Sequence, residues 1–303
     1  MSTIQLKKAT RQQVKLRLNI SAPSGAGKTM GALLMAKGLV GDWSKIAVID
    51  TENGSASLYS HLGEFLTIDL QAPYSPERYI ECIDACLNGG IECIIIDSSS
   101  HEWNGAGGCL EINETLAQLK YRGNTWSAWN ETTPRHDRFV AKVLQCNAHI
   151  ITCTRSKMET VMGDDKKVKK VGMKDIQRDG WEYELTVSLN VDKDTHLATV
   201  SKDRTELFEG KAPFVITEST GLMIKQWCNQ GIDTEAEKQK AIASATAEMY
   251  AVKDMEALKA IWTKYKQFQS EPFFIAAKDE MKVKLTPQTA DKQDTATQTL
   301  ANE

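Results

Sequence analysis

The sequence predicts an α/β fold: a mostly parallel central sheet covered by helices, with a late antiparallel hairpin and a small helical segment at its C-terminal end. Three observations predict it. Short apolar strands alternate with amphipathic helical stretches, a loop of small residues joins the first strand to the first helix, and two alternating segments follow one another across a polar turn after residue 180.

Residues 13–20, QVKLRLNI, alternate Val14, Leu16, Leu18 and Ile20 with polar neighbours, the period of a strand. After Lys28 the run TMGALLMAKGLV sets Leu33, Leu34, Ala36 and Leu39 on one helical face, and KIAVID (45–50) then reads as a short buried strand. FLTIDL (65–70) continues the alternation. SPERYIECIDACLNGG (75–90) is a helix with Ser75 as its cap and Pro76 in its first turn, and IECIIID (91–97) is the next strand. A further helix is expected from Thr133 and Pro134 to Asn147, feeding the strand HIITCT (149–154). YELTVSLNV (183–191) and THLATVSKD (195–203), separated by the polar turn DKD, form the antiparallel hairpin. From residue 234 to about 282 the composition is helical, with Leu258, Ile261, Trp262 and Tyr265 on one face. Residues 285–303 lack apolar anchors and are expected to be disordered. The expected organisation is therefore a core over 1–232, a helical segment over 233–284 and a tail over 285–303.

Bulk properties exclude several classes. Hydrophobic residues at 41% and charged residues at 25% are ordinary globular values, which rules out a fibrous or wholly disordered chain. A net charge of -3 gives no overall attraction to nucleic acid or anionic lipid, so any such binding needs a local patch. Seven cysteines, an odd number with no C-x-x-C pair, indicate buried reduced thiols, with neither a disulfide framework nor a zinc site. The N-terminal residues lack an apolar leader core and no stretch is long enough to cross a bilayer, so the expected location is the cytoplasm, away from membranes.

The chemistry is concentrated in A-P-S-G-A-G-K-T, residues 22–29, which has P-loop spacing with alanine in place of the first glycine. Small residues at Ser24, Gly25, Ala26 and Gly27 let consecutive backbone N–H groups converge on phosphate oxygens, and the helix N-terminus behind them adds partial positive charge. Lys28 would reach the terminal phosphates of ATP and Thr29 would offer a hydroxyl to Mg²⁺. Cys93 to Asp97 forms the matching second strand, whose aspartate would hold the metal. Ser98 follows Asp97, so a water-activating glutamate does not stand there, and VIDTENGSA offers Asp50 and Glu52 at the end of a neighbouring strand instead.

The order APSGAGKT, VIDTE, Tyr59, IIIDSSS resembles the ATPase core of RecA-like recombinases, and the segment Asp97 to Trp103, D-S-S-S-H-E-W, is similar to that of phage-encoded RecA-like ATPases of the single-strand annealing and recombination type. The resemblance spans roughly residues 13–215. It implies that Glu52 is the catalytic carboxylate, and that Lys202 and Arg204 in VSKDRTE reach a neighbouring subunit's γ-phosphate within a homo-oligomer. Both point the same way on an extended strand, although a solvated strand end would look the same. It also implies that the segment 155–178 is a mobile DNA-contacting loop, where Lys166, Lys167, Lys169 and Lys170 would track a single-stranded DNA backbone. Such recombinases end a core strand with a phosphate-sensing glutamine, for which this chain has Thr154 or Arg155. Between residues 104 and 138 a flexible GAGG precedes Trp126 and Trp129, which read as a packed helix face in preference to base-stacking platforms.

The function expected from these residues is a Mg²⁺-dependent, DNA-stimulated ATPase that binds single-stranded DNA and assists phage annealing or recombination in the host cytoplasm, with a single-strand DNA-binding protein as a further partner. The alternatives are a helicase or packaging motor on the same core, and a nucleotide switch or kinase that never touches DNA.

Overall fold

The computed structural model describes residues 8–162 and 168–286. They form two compact units, one over residues 13–231 and one built from residues 232 onward together with the segment before residue 13.

The first unit runs β1 (Arg17–Ala22), α1 (Lys28–Val40), β2 (Ile46–Asp50), β3 (Leu66–Asp69), α2 (Pro76–Asn88), β4 (Cys93–Asp97), α3 (Ser100–Asn104), α4 (Cys109–Lys120), α5 (Thr125–Gln145), β5 (His149–Met162), β6 (Val168–Asp175), α6 (Trp181–Glu184), β7 (Val187–Val191), β8 (Ala198–Asp203) and α7 (Glu218–Cys228). The sheet order is β3-β2-β4-β5-β1-β7-β8, with β6 paired to β5 off this path. Pairing is parallel from β3 through β7; β7 with β8 and β5 with β6 are antiparallel. The late hairpin expected from the alternating segments is thus the β7–β8 edge of the sheet.

Every residue of β4 is buried, because both faces of a parallel sheet are covered. Alternate side chains divide between two cores. Ile94 and Ile96 pack with Ile49, Tyr79 and Phe139 beneath α2 and α5, whereas Cys93 and Ile95 pack with Leu18, Leu33 and Ile224 beneath α1 and α7. Helices α1 and α7 meet backbone to backbone. A Cβ on Gly38 would lie 2.0 Å from the Glu218 carbonyl oxygen, and one on Gly221 would lie 2.1 Å from that of Met35.

Three local expectations are corrected. Helix α5 begins at Thr125, not near Thr133, and carries Pro134 inside it. Asn124 caps it by accepting from the Ser127 N–H at 3.0 Å, and its buried face of Ala128, Thr132, His136, Phe139 and Val143 extends the helical spacing through the proline. The GAGG segment is not a free linker, since a Cβ on Gly107 would lie 2.3 Å from the Pro73 side chain. Trp129 does pack, stacking on Trp103 with centroids 5.5 Å apart, but Trp126, in the first turn of α5, is 84% exposed.

No disulfide joins any of the seven cysteines, and six of them are buried. The second unit holds α8 (Thr234–Tyr250), α9 (Met255–Lys264) and α10 (Pro272–Leu285). Asp233 and Asp254 cap the first two by accepting from the N–H groups of Ala236 and Ala257. Its core gathers Met249, Leu258, Phe274 and Met281, with Ile261, Trp262 and Tyr265 packed at the margin as the sequence face requires. The tail expected to be disordered lies, from residue 287, outside the described residues. Among the described residues no helix is long and apolar enough to cross a membrane.

The close approach of α1 and α7 predicts that Gly221→Ala forces two backbones apart and lowers folding stability by about 1–3 kcal/mol or more, read as a reduced urea midpoint. His149, buried, accepts the Leu16 N–H at its Nδ1 at 2.9 Å. Burial, with Lys15, Arg17 and Lys225 nearby, pushes its pKa down to about 3 from an ordinary 6.5. The unfolded chain then binds a proton that the folded chain refuses, so this contribution to stability is complete above about 6.5 and is lost as pH falls toward 3. Urea unfolding across that window should show a slope that His149→Gln flattens.

Candidate functional site

The site forms where the parallel strands end together. Register aligns Asp50 of β2 with Asp97 of β4, and Asp97 with Cys153 of β5, while Ala22 of β1 stands level with Arg155. Chemistry therefore gathers at the carboxyl edge of the sheet, where strand ends turn into loops with free backbone groups.

From β1 the chain enters the loop 22–29 through Gly25 and Gly27, whose φ of 82° and 86° lie in the left-handed region that favours glycine. Ser24, Gly25 and Gly27 are exposed, Ala26 is buried, and no side chain caps the first turn of α1, so its leading N–H groups stay open toward the loop. Lys28 is buried and donates from Nζ to the carbonyls of Ala22 and Pro23, each at 3.1 Å. Thr29 donates from Oγ1 to Asp97 Oδ2 at 2.5 Å. Asp97 is enclosed; burial pushes its carboxyl up to about 6, against the opposing effects of the Thr29 hydroxyl and Lys28. The residues fit a phosphate chain with Mg²⁺: an ammonium folded into a glycine-bearing loop, and beside it a hydroxyl and a carboxylate in contact, both hard oxygen donors.

Of the two carboxylates on the neighbouring strand end, Asp50 is committed to the turn. Its oxygens accept from the N–H groups of Glu52 at 2.6 Å and Ala56 at 2.7 Å, and it is 1% exposed. Glu52 is half-buried, and Arg155 grips both of its oxygens, donating from Nε to Oε1 at 2.7 Å and from Nη2 to Oε2. Burial raises the carboxyl's pKa, but the hydrogen bonds and charge of Arg155, with His101 and Lys28 nearby, outweigh it and leave the pKa below its ordinary value. Thr154, the other candidate phosphate sensor, is buried and donates to Asn19 Oδ1 at 2.5 Å.

Sequence reasoning missed most of the surrounding contacts. His101 Nδ1 lies 2.7 Å from Thr51 Oγ1, which in turn accepts the Ser98 N–H. His196, in the β7–β8 turn, reaches the carbonyl of Ala26 at 3.2 Å and so covers the phosphate loop. Glu102, Cys109 and His136 converge in the interior. They read as a hydrogen-bonded network: the Cys109 thiol donates to Glu102 at 3.1 Å, His136 Nδ1 lies 3.0 Å from it, and Gln177 Nε2 approaches its other oxygen at 3.4 Å. Three donor side chains fall short of the four that a structural zinc requires.

Lys202 and Arg204 do share a face. Both donate to the Tyr183 carbonyl of their own chain, Arg204 at 3.0 Å, and Lys202 also to that of Glu182 at 3.0 Å. The basic segment is not a featureless loop: β5 runs on beyond the sheet and pairs with β6 as an antiparallel ribbon from Ser156 and Asp175 outward. The mobile loop expected over 155–178 is replaced, in its described residues, by strands held through ladder hydrogen bonds, which need no apolar periodicity. Lys166 and Lys167 lie outside the described residues; the backbones of Lys169 and Lys170 fall on β6 opposite Val161 and Thr160. At the ribbon's base is a cleft of about 970 Å³ lined by Trp103, Trp126, Trp129, Lys157, Lys174 and Arg178, among others.

Lys28→Ala should weaken ATP binding by roughly ten- to a hundredfold, the value of one or two charge-assisted contacts to phosphate, while the far-ultraviolet circular dichroism is unchanged. Titration with a fluorescent ATP analogue measures it.

No curated protein matches the chain. The AAA_24 family, described as an AAA domain, matches residues 14–214, a span that takes in the phosphate loop, Glu52, Asp97, the ribbon and the β7–β8 hairpin. With that span, and with the lysine, threonine and aspartate placed as above, the chain belongs to the AAA_24 family and is a nucleotide-binding ATPase of the P-loop type.

Proposed function

We propose that this ATPase hydrolyses ATP with Mg²⁺, is stimulated by single-stranded DNA, and assists annealing or recombination of phage DNA as a homo-oligomer. One observation carries the hydrolytic part of this reading: Glu52 stands two residues beyond the rung shared by Asp50 and Asp97, a carboxylate beside the metal-type pair Thr29–Asp97 but on a separate strand end. Lys28 binds the phosphates, Thr29 and Asp97 hold Mg²⁺, which neutralises phosphate charge when bound, and Glu52 takes the proton of the attacking water. Ser24, Gly25, Ala26 and Gly27 supply backbone N–H groups to the phosphates.

Three features support the DNA part. The D-S-S-S-H-E-W segment resembles that of phage annealing ATPases, the sequence between residues 155 and 178 contains Lys166, Lys167, Lys169 and Lys170, and the cleft at the base of the β5–β6 ribbon offers exposed Trp126 together with Lys157 and Lys174. Aromatic faces with cations nearby suit unpaired bases on a phosphate backbone, read without regard to sequence. Lys202 and Arg204, both hydrogen-bonded to the Tyr183 carbonyl in this chain, would turn to complete a neighbour's site, and a single-strand DNA-binding protein and the cytoplasm are the matching partner and setting. A helicase or packaging motor would add strand displacement to the same ATPase.

Glu52→Gln should lower kcat by ~10²-fold or more with ATP affinity preserved. Arg204→Ala should reduce DNA-stimulated hydrolysis, and mixing the two variants should restore part of it if one subunit serves another. Oligonucleotide binding that survives both salt of about 0.5 M, on the order of three times physiological ionic strength, and neutralisation of Lys166, Lys167, Lys169 and Lys170 would remove those lysines as the contact, and the absence of oligonucleotide binding by the parent protein would count against DNA as the partner.

A further inference from the structure

The turn between β7 and β8 reaches the phosphate loop from the side. β7 runs parallel to β1 with Asn190 level with Ser21, so the chain that follows β7 leaves the sheet at the same edge as that loop. Asp192 folds the turn: its Oδ1 accepts from the N–H groups of Asp194 at 3.1 Å and Thr195 at 2.9 Å, and from the Thr195 hydroxyl at 2.8 Å. The Asp192 carbonyl accepts the His196 N–H at 3.0 Å, and the Asp192 N–H donates to the Leu197 carbonyl at 3.0 Å. His196 is thereby held at a φ of 56°, in the left-handed region, with its Nδ1 3.2 Å from the Ala26 carbonyl oxygen. A carbonyl only accepts, so Nδ1 carries the proton of this bond.

In a planar trans peptide the carbonyl oxygen and the following N–H point in opposite directions. The Ala26 carbonyl and the Gly27 N–H belong to one such unit, so a donor that draws the oxygen toward the turn directs the N–H the other way. The loop's composition leaves that choice open. Gly25 and Gly27 flank Ala26 at φ of 82° and 86°, and glycine accepts either sign of φ, so this peptide can turn over at little steric cost. Turned over, it would present a carbonyl oxygen to a phosphate in place of an N–H, and the two negative groups would repel. We propose that His196 is a positioning residue for nucleotide binding: it holds the Ala26 carbonyl outside the cradle and so keeps the Gly27 N–H turned toward the phosphate chain. The proposal rests on the phosphate loop as the nucleotide site and is independent of Glu52 and of DNA. Because His196 acts through the loop backbone, its effect falls on the phosphates and not on the base.

The test uses the full chain with Mg²⁺ and compares parent, His196→Gly and His196→Asn by calorimetry, for binding of ADP and of inorganic tripolyphosphate, which has no base. Glycine and asparagine both accept the left-handed backbone of His196, and of the two only asparagine offers a side-chain N–H in the place of Nδ1. The expected result is that His196→Gly weakens ADP and tripolyphosphate by the same factor, roughly three- to tenfold, the value of one hydrogen bond, while His196→Asn stays within about twofold of the parent for both. Parent-like affinity in His196→Gly would overturn the proposal. So would a loss confined to ADP, which would make the imidazole a contact to the base, or an equal loss in His196→Asn, which would credit the ring's bulk instead of its donor. A parent that holds ADP but no tripolyphosphate would overturn it too, since a cradle set in advance grips the phosphates alone. A parent that binds neither would remove the phosphate loop as the nucleotide site, and the role of His196 with it.

Discussion

The constraint on which the site depends is the parallel register of β2, β4 and β5. Asp50, Asp97 and Cys153 share one rung, so the residues just beyond it emerge on the same side of the sheet whatever their separation along the chain. Glu52 and Arg155, 103 residues apart in sequence, touch for this reason. Parallel strands cannot return directly, and each needs a covering helix to cross back, so the same topology that buries β4 on both faces also collects the loops at one edge. Fold and chemistry are here two results of one ladder.

Burial then separates the carboxylates by role. Asp50 is enclosed and satisfied by backbone N–H groups, which fixes the turn that carries Glu52. Asp97 is enclosed, with the Thr29 hydroxyl as its hydrogen-bond donor, and burial raises its pKa. Glu52 lies nearer the surface and finds its counter-charge in Arg155. Three acids at one sheet edge thus differ in availability because they differ in partners.

How much of this was legible in the sequence follows from which signals are local. The phosphate loop, the buried strand ending in Asp97 and the alternation of strands and helices all write themselves into adjacent residues, through small-residue spacing and through periods of two and 3.6. The β7–β8 hairpin was legible for the same reason. Helix α5 was misjudged at its start because Pro134 is a strong boundary signal in sequence, while the Asn124 cap and the packed face running past the proline are weaker ones. Ribbon β5–β6 left no mark because its pairing satisfies the backbone and its charged sequence carries no apolar alternation. Arg155 with Glu52, Asp175 with Ser21 and Gln177 with Glu102 are contacts between distant segments, which periodicity does not encode. Only the strand order, known in three dimensions, makes them neighbours.

The tie from Asp175 to Ser21 carries a thermodynamic obligation. It joins the root of the ribbon to the strand that opens into the phosphate loop, so the ribbon and that loop share one mechanical support. If occupation of the ribbon changes the free energy of nucleotide capture by some factor, linkage requires the nucleotide to change the ribbon's grip on its own ligand by the same factor. A triphosphate lost to hydrolysis would then alter how tightly the other surface holds on, and the cycle of one becomes a timer for the other.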